Sequence, residues 1–276
     1  MKDESHASSG LQHSLKQRHM TMIALGGVIG AGLFVGSGVV IQEAGPAAVI
    51  SFLITGVIVV LVMQMLGEMA CALPAVGSFY EYARLAWSDR PAFGEMAGFL
   101  TGWMYWYFWV IVVALEAVAG ATIVQFWLPN VPGWIISLSL LVLLTLSNLI
   151  SVKSFGEFEF WFASIKVAAI IVFLFLGGLY ILGLWPGVSA NVGNLTAHGG
   201  FAPHGIVPIL TGAVAATGFY FGAEIVTIAA AETAEPEKAV AKATSSVITR
   251  VLVFYVGSVF VVVCLVPWDS IGMKTP

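Results

Sequence analysis

Seven long apolar runs, at 20–41, 47–68, 98–126, 134–150, 160–184, 206–231 and 246–266, take up most of this 276-residue sequence. A helix needs about 20 apolar residues to cross the hydrocarbon core of a bilayer. In lipid the backbone must satisfy its own hydrogen bonds, which leaves helices as the structure for such runs. The fold class expected is therefore all-α and polytopic, with about seven transmembrane helices. Composition agrees: 9% of residues are charged, 59% are hydrophobic and the mean hydropathy is +0.96. A soluble domain carries about 25% charged residues, so soluble and disordered classes are excluded. The net charge of -4 offers no basic surface for nucleic acid. Cys71 and Cys264 are the two cysteines and fall on opposite sides of the membrane, which excludes a disulfide framework or a metal site. The first run is too long for a signal peptide and lacks a small-x-small cleavage site after it.

The organisation follows from the runs. Residues 1–19 form a polar N-terminal tail, 20–184 hold the first five spans, and 206–276 hold two more. Residues 75–90 mix aromatics with both charges and read as an interfacial helix. Lys and Arg concentrate on the cytosolic side of bacterial membrane proteins. With the N-terminus in the cytosol, Lys2, Lys16, Arg18, Arg84, Arg90, Lys153, Lys238, Lys242 and Arg250 are all inside and only Lys274 is outside.

The first span contains Gly26, Gly27, Gly30, Gly32, Gly36 and Gly38, six glycines in thirteen residues. Each costs a helix interior about 1 kcal/mol relative to Ala. Two readings stand. One is close helix packing through the small-xxx-small pairs Gly26/Gly30 and Gly32/Gly36. The other is a broken helix whose freed N–H groups meet an anion and whose freed carbonyls meet a cation. The sixth span is interrupted too, at Thr217-Gly218-Phe219-Tyr220-Phe221-Gly222-Ala223-Glu224. Spans one and six run in opposite directions, so paired breaks there are the mark of an inverted repeat with its site where they meet.

Charges inside the membrane are costly and mark function by default. Lys166 lies in the fifth span, Glu116 in the third and Glu224 in the sixth. For each the alternative is structural: an ion pair for Lys166, and hydrogen bonds tying spans together for the carboxylates. The aromatic run Trp103–Trp109 reads mainly as lipid contact and packing, with one or two rings left for a substrate. No nucleophile with an adjacent base is evident, so no enzyme activity is expected.

Leu15-Lys16-Gln17-Arg18-His19-Met20-Thr21-Met22-Ile23-Ala24-Leu25-Gly26-Gly27, running into Ile29-Gly30-Ala31-Gly32-Leu33-Phe34, resembles the opening of bacterial amino acid permeases. These belong to the amino acid–polyamine–organocation (APC) superfamily. Glu43-Ala44-Gly45-Pro46 and Gly67-Glu68-Met69 fit the same pattern. Leu115-Glu116-Ala117, the segment 151–159 and Gly222-Ala223-Glu224-Ile225-Val226-Thr227 are similar to the 4-aminobutyrate (GABA) permeases. The resemblance implies twelve spans, ten of them in a 5+5 inverted-repeat transporter fold, so that this chain ends early in the second repeat. It implies import of an amino acid or GABA across the bacterial cytoplasmic membrane by proton symport, with no cofactor. Gly30, Ala31 and Gly32 would bind the substrate carboxylate, and Phe219, Tyr220, Phe221 and Glu224 the rest of the substrate. Lys166, with Glu116, would carry the coupling proton. One departure stands out: the aromatic-small-aromatic pattern of the family before Gly-x-Glu is here Gly218-Phe219-Tyr220. Alternatives are a permease for proline, asparagine or aromatic amino acids, and a membrane-inserted fragment that transports nothing. A retinal-binding seven-span receptor is disfavoured, since 246–266 holds no lysine.

Overall fold

A computed structural model describes residues 29–30, 32–73, 79–150, 152–189, 191–222, 224 and 251–270, with backbone alone at 71, 148, 150, 152–159 and 251–252. Every regular element among them is helical. After a bend at Ile29 and Gly30, a π-turn Gly32–Gly36 leads into α1 (Ser37–Ala44). The 3-10 turn Gly45–Ala47 then reverses the chain into α2 (Ala48–Ala72). Gly45 makes this corner with φ 67°, a left-handed conformation open to glycine at little cost. Pro46 starts the turn, where its missing N–H is not needed.

The next elements are α3 (Phe79–Leu85), α4 (Pro91–Gln125), α5 (Gly133–Ile150) and α6 (Val152–Ile181). After the turn Gly193–Leu195 come α7 (Ile206–Thr217), a π-helical stretch Val251–Gly257 and α8 (Ser258–Leu265). Three helical stretches, Gly32–Ala70, Pro91–Gln125 and Phe160–Ile181, are long and apolar enough to cross a membrane, the first of them folded back at Gly45. Gly133–Ser147, Ile206–Thr217 and Val253–Leu265 are shorter apolar helices.

The bounds differ from the apolar runs in an instructive way. The helix of the third span starts at Pro91 rather than 98, because proline at the first position suits a helix start regardless of hydropathy. The fifth starts at Val152, in a polar segment, for no reason visible in the apolar pattern. The sixth stops at Thr217, in the middle of its apolar run. Residues 1–28, the whole of the sixth span beyond Glu224, 246–250 of the seventh, and 75–78 of the interfacial segment lie outside the described residues.

The core is made by the first, second, sixth and seventh spans. Ile29, Leu33, Val40, Ile41, Phe52, Ala216, Tyr220, Tyr255 and Val259 are all buried in one cluster, which Ile170 of α6 joins. Small residues bring α7 close: a Cβ on Gly212 would stand 2.9 Å from Val40 Cγ1. Two hydroxyls one turn apart tie α2 to α7. Ser51 Oγ donates to the Ile209 carbonyl at 2.8 Å and Thr55 Oγ1 to that of Ala213 at 2.6 Å. Both serve the same face because residues four apart share one. The outward faces of α4, α5 and α6 remain apolar and exposed, as at Met104, Leu143 and Phe175.

Helix α3 lies across the start of α4 on a row of glycines. A Cβ on Gly94 would stand 2.7 Å from the Arg84 carbonyl oxygen, and one on Gly98 3.2 Å from that of Tyr80. Arg84 Nε donates to Glu81 Oε2 at 2.9 Å and Nη1 to Glu95 Oε1 at 3.3 Å. Glu81 therefore titrates below its ordinary range, chiefly through its hydrogen bond with Arg84.

On one face of the bundle, loop 191–204 binds two other turns. Ala47 N donates to the Phe201 carbonyl at 2.9 Å, Asn194 Nδ2 to that of Cys264 at 2.8 Å and Trp268 Nε1 to that of His198 at 2.9 Å. The ends of spans one, five and seven thus share a face, as an alternating bundle requires.

Candidate functional site

Among the described residues, irregular backbone stands at both glycine-rich segments. On the first span, Ile29 and Gly30 form a bend and a π-turn begins at Gly32, while the residues before Ile29 lie outside the described ones. On the sixth, α7 gives way to turns through Gly218–Gly222, and Gly222 has φ 101°. Glycine at 222 permits a backbone that other residues rarely adopt.

The two breaks touch. The Phe219 ring lies on the bare backbone of Gly32 and Gly36: a Cβ on either would come 2.5 Å from its ring carbons. The packing reading of the glycine-rich first span is therefore realised at Gly32 and Gly36, beside the bend at Ile29 and Gly30. Tyr255 Oη donates to the Phe219 carbonyl at 2.6 Å, and so satisfies an acceptor that the helix end has freed. Tyr220, which is buried, donates to the Phe52 carbonyl at 2.9 Å and stacks on Tyr255 with centroids 4.2 Å apart. Phe52 stacks on Phe219 at 6.2 Å. Four rings from spans two, six and seven thus hold the sixth-span break.

The third span supplies the other wall. Tyr105 Oη donates to Glu224 Oε1 at 3.3 Å, and Gly222 N donates to Glu224 Oε2 at 2.8 Å. The Phe108 ring meets Phe221 edge-on at 4.5 Å. Farther along α4, Glu116 Oε1 lies 2.7 Å from where a Cβ on Gly30 would stand. Tyr105, Phe108, Val112 and Glu116 recur at helical spacing, so one face of α4 passes both breaks.

Gly30, Gly32, Phe219, Tyr220, Phe221, Glu224 and Glu116 are thereby brought to the two breaks; Ala31 lies outside the described residues. Lys166 is half-buried on α6, one turn before Ile170, which belongs to the core. Sequence reasoning missed Phe52 and Tyr255 entirely. Of the rings in Trp103–Trp109, Tyr105 and Phe108 touch the sixth-span turn, at Glu224 and Phe221. Helical spacing separates them from Trp103, Met104, Trp106 and Tyr107, which are exposed.

Chemically, the arrangement offers bare backbone at a helix interruption, two carboxylates and a wall of rings. Such breaks inside apolar helices define a multi-pass membrane protein with a polar centre. Residues 19–275 match the amino acid permease family, and the chain belongs to that family. It is 53% identical over 268 residues to a gamma-aminobutyric acid permease of Bacillus subtilis, covering 96% of this chain and 56% of that protein. It is 49% identical over 261 residues to the gamma-aminobutyric acid permease of Escherichia coli, with 94% and 55% covered. An aromatic amino acid transport protein of Corynebacterium glutamicum is 47% identical over 267 residues, with 96% and 56% covered. The chain spans about half the length of these curated relatives.

Proposed function

We propose that this protein imports GABA or a related amino acid across the bacterial cytoplasmic membrane by proton symport, with its N-terminus in the cytosol. The observation that carries this reading is the meeting of the two helix breaks at Phe219 and Gly32. N–H groups left free where a helix is interrupted suit a carboxylate, and Glu224 at the second break suits an ammonium. Lys166 and Glu116 are the candidate proton carriers, as ionisable groups within apolar spans. The proton is the coupling ion and no cofactor takes part.

The test is uptake by proteoliposomes under an imposed proton gradient. Labelled GABA should accumulate, a proton ionophore should abolish accumulation, and a sodium gradient alone should not drive it. The ring cluster of Phe52, Phe219, Tyr220 and Tyr255 favours a second reading, an aromatic substrate. Phenylalanine that accumulates while GABA does not would establish it. No accumulation of GABA, aromatic amino acids, proline or asparagine under any gradient would refute transport of this class.

A further inference from the structure

Loop 191–204 contains two histidines in different electrostatic settings. His204 Nδ1 lies 2.8 Å from the Glu43 carbonyl oxygen at the end of α1, and its ring meets Trp268 edge-on at 5.0 Å. A carbonyl only accepts, so Nδ1 carries the proton whether the ring is charged or neutral. His198 Nδ1 instead lies 3.2 Å from Asp269 Oδ2, just after α8, while its carbonyl accepts from Trp268. Here the strength of the contact depends on charge. A hydrogen bond between a protonated ring and a carboxylate is roughly twice as strong as a neutral one.

We propose that this loop is a proton-sensitive latch, with His204 as its fixed anchor and His198 as its sensor. The latch joins three places. Ala47 N and the Glu43 carbonyl belong to the corner after the first broken span, and Asp269 and Trp268 follow the seventh. The loop itself leads through Gly205 into α7, the outer half of the second broken span. Closed, it ties the ends of both broken spans to each other and to the seventh. In the orientation proposed above, this is the outer face.

The charged groups around His198 set the sign. Asp269, after α8, is the charged group in contact with the His198 ring, and Lys274 farther along the same side lies outside the described residues. Residues 185–204 and the corner Gly45–Ala47 hold no Lys or Arg. Protonated His198 therefore faces carboxylate with no competing fixed cation in these segments. The latch tightens as pH falls and slackens as pH rises, because a protonated ring binds the Asp269 carboxylate more strongly. Both partners are partly exposed, at 37% and 46%, so protons reach them directly and the gain is that of a surface ion pair.

Backbone amide exchange of segment 191–204, read by mass spectrometry on the reconstituted protein, tests this. Corrected for intrinsic exchange, protection should rise roughly two- to five-fold from about pH 7.5 to about pH 5.5, the scale of an exposed ion pair. His198→Gln and Asp269→Asn should each abolish that rise. His204→Gln should lower protection at both pH values and leave the rise intact. Equal protection at the two pH values in the unaltered protein would overturn the proposal, as would a full pH response in His198→Gln.

Discussion

Phe219 rests on Gly32 so closely that a β-carbon there would stand 2.5 Å from the ring's Cδ1 and 2.8 Å from its Cγ. Two breaks 187 residues apart in sequence are thereby packed as one unit. Gly32→Val should therefore act twice, by placing a branched side chain at the bare backbone and by driving Phe219 off it. Substrate binding should fall at least about tenfold, a loss of some 1.4 kcal/mol. Equilibrium binding of labelled substrate to the purified variant measures this, and unchanged affinity would move the site elsewhere.

Tyr255→Phe removes the donor to the part-buried Phe219 carbonyl. A loss of about 0.5–1.5 kcal/mol is expected for such a hydrogen bond. Thermal unfolding in detergent should show a lowered midpoint. Tyr220→Phe should lower the midpoint less, since the Phe52 carbonyl loses this donor but remains bonded within its own helix.

The Ser51 and Thr55 bonds to α7 are of a kind that averages about 0.6 kcal/mol in membrane proteins. The double variant Ser51→Ala, Thr55→Val should lose on the order of 1 kcal/mol of stability and still insert normally. A loss several times larger would show that these hydroxyls do more than join two helices.

Gly98→Leu should displace α3, because the Tyr80 carbonyl already stands 3.2 Å from the space a Cβ would fill. Limited trypsin digestion at Arg84 and Arg90 should accelerate markedly. Acidification should weaken α3 itself, within which Glu81 and Arg84 pair three residues apart. Glu81 is lowered by its hydrogen bond with Arg84, so its contribution is present above the ordinary carboxylate range and is lost as pH falls through its lowered value. Cleavage at neutral pH that Gly98→Leu leaves unchanged would refute the docking role.

Lys166→Ala should abolish proton-driven uptake while leaving insertion intact, because it deletes the titratable cation of the fifth span. Full uptake with an unaltered pH profile would remove Lys166 from the coupling path.

The breaks were legible in the sequence because glycine interrupts an apolar helix in a way no other residue does at comparable cost. The same glycines left packing and interruption undecided, since both use a missing side chain. Contacts separated that pair: Gly32 and Gly36 face Phe219, while Gly30 faces Glu116. Tyr255 and Phe52 left no trace in the sequence, because an aromatic in an apolar run looks the same whether it faces lipid or a neighbouring helix.

What the sequence determined alone is the class of fold. Long apolar runs in a nearly uncharged chain admit a helical membrane bundle, because lipid offers the backbone no other partner. It also marked, by glycine, two of those helices as candidates for interruption. The tertiary structure decided which side chains meet those segments. Tyr255 caps the Phe219 carbonyl, Tyr105 reaches Glu224, and Glu116 turns toward Gly30. A helical run shows which residues share a face, but only the packing of several helices shows what that face meets.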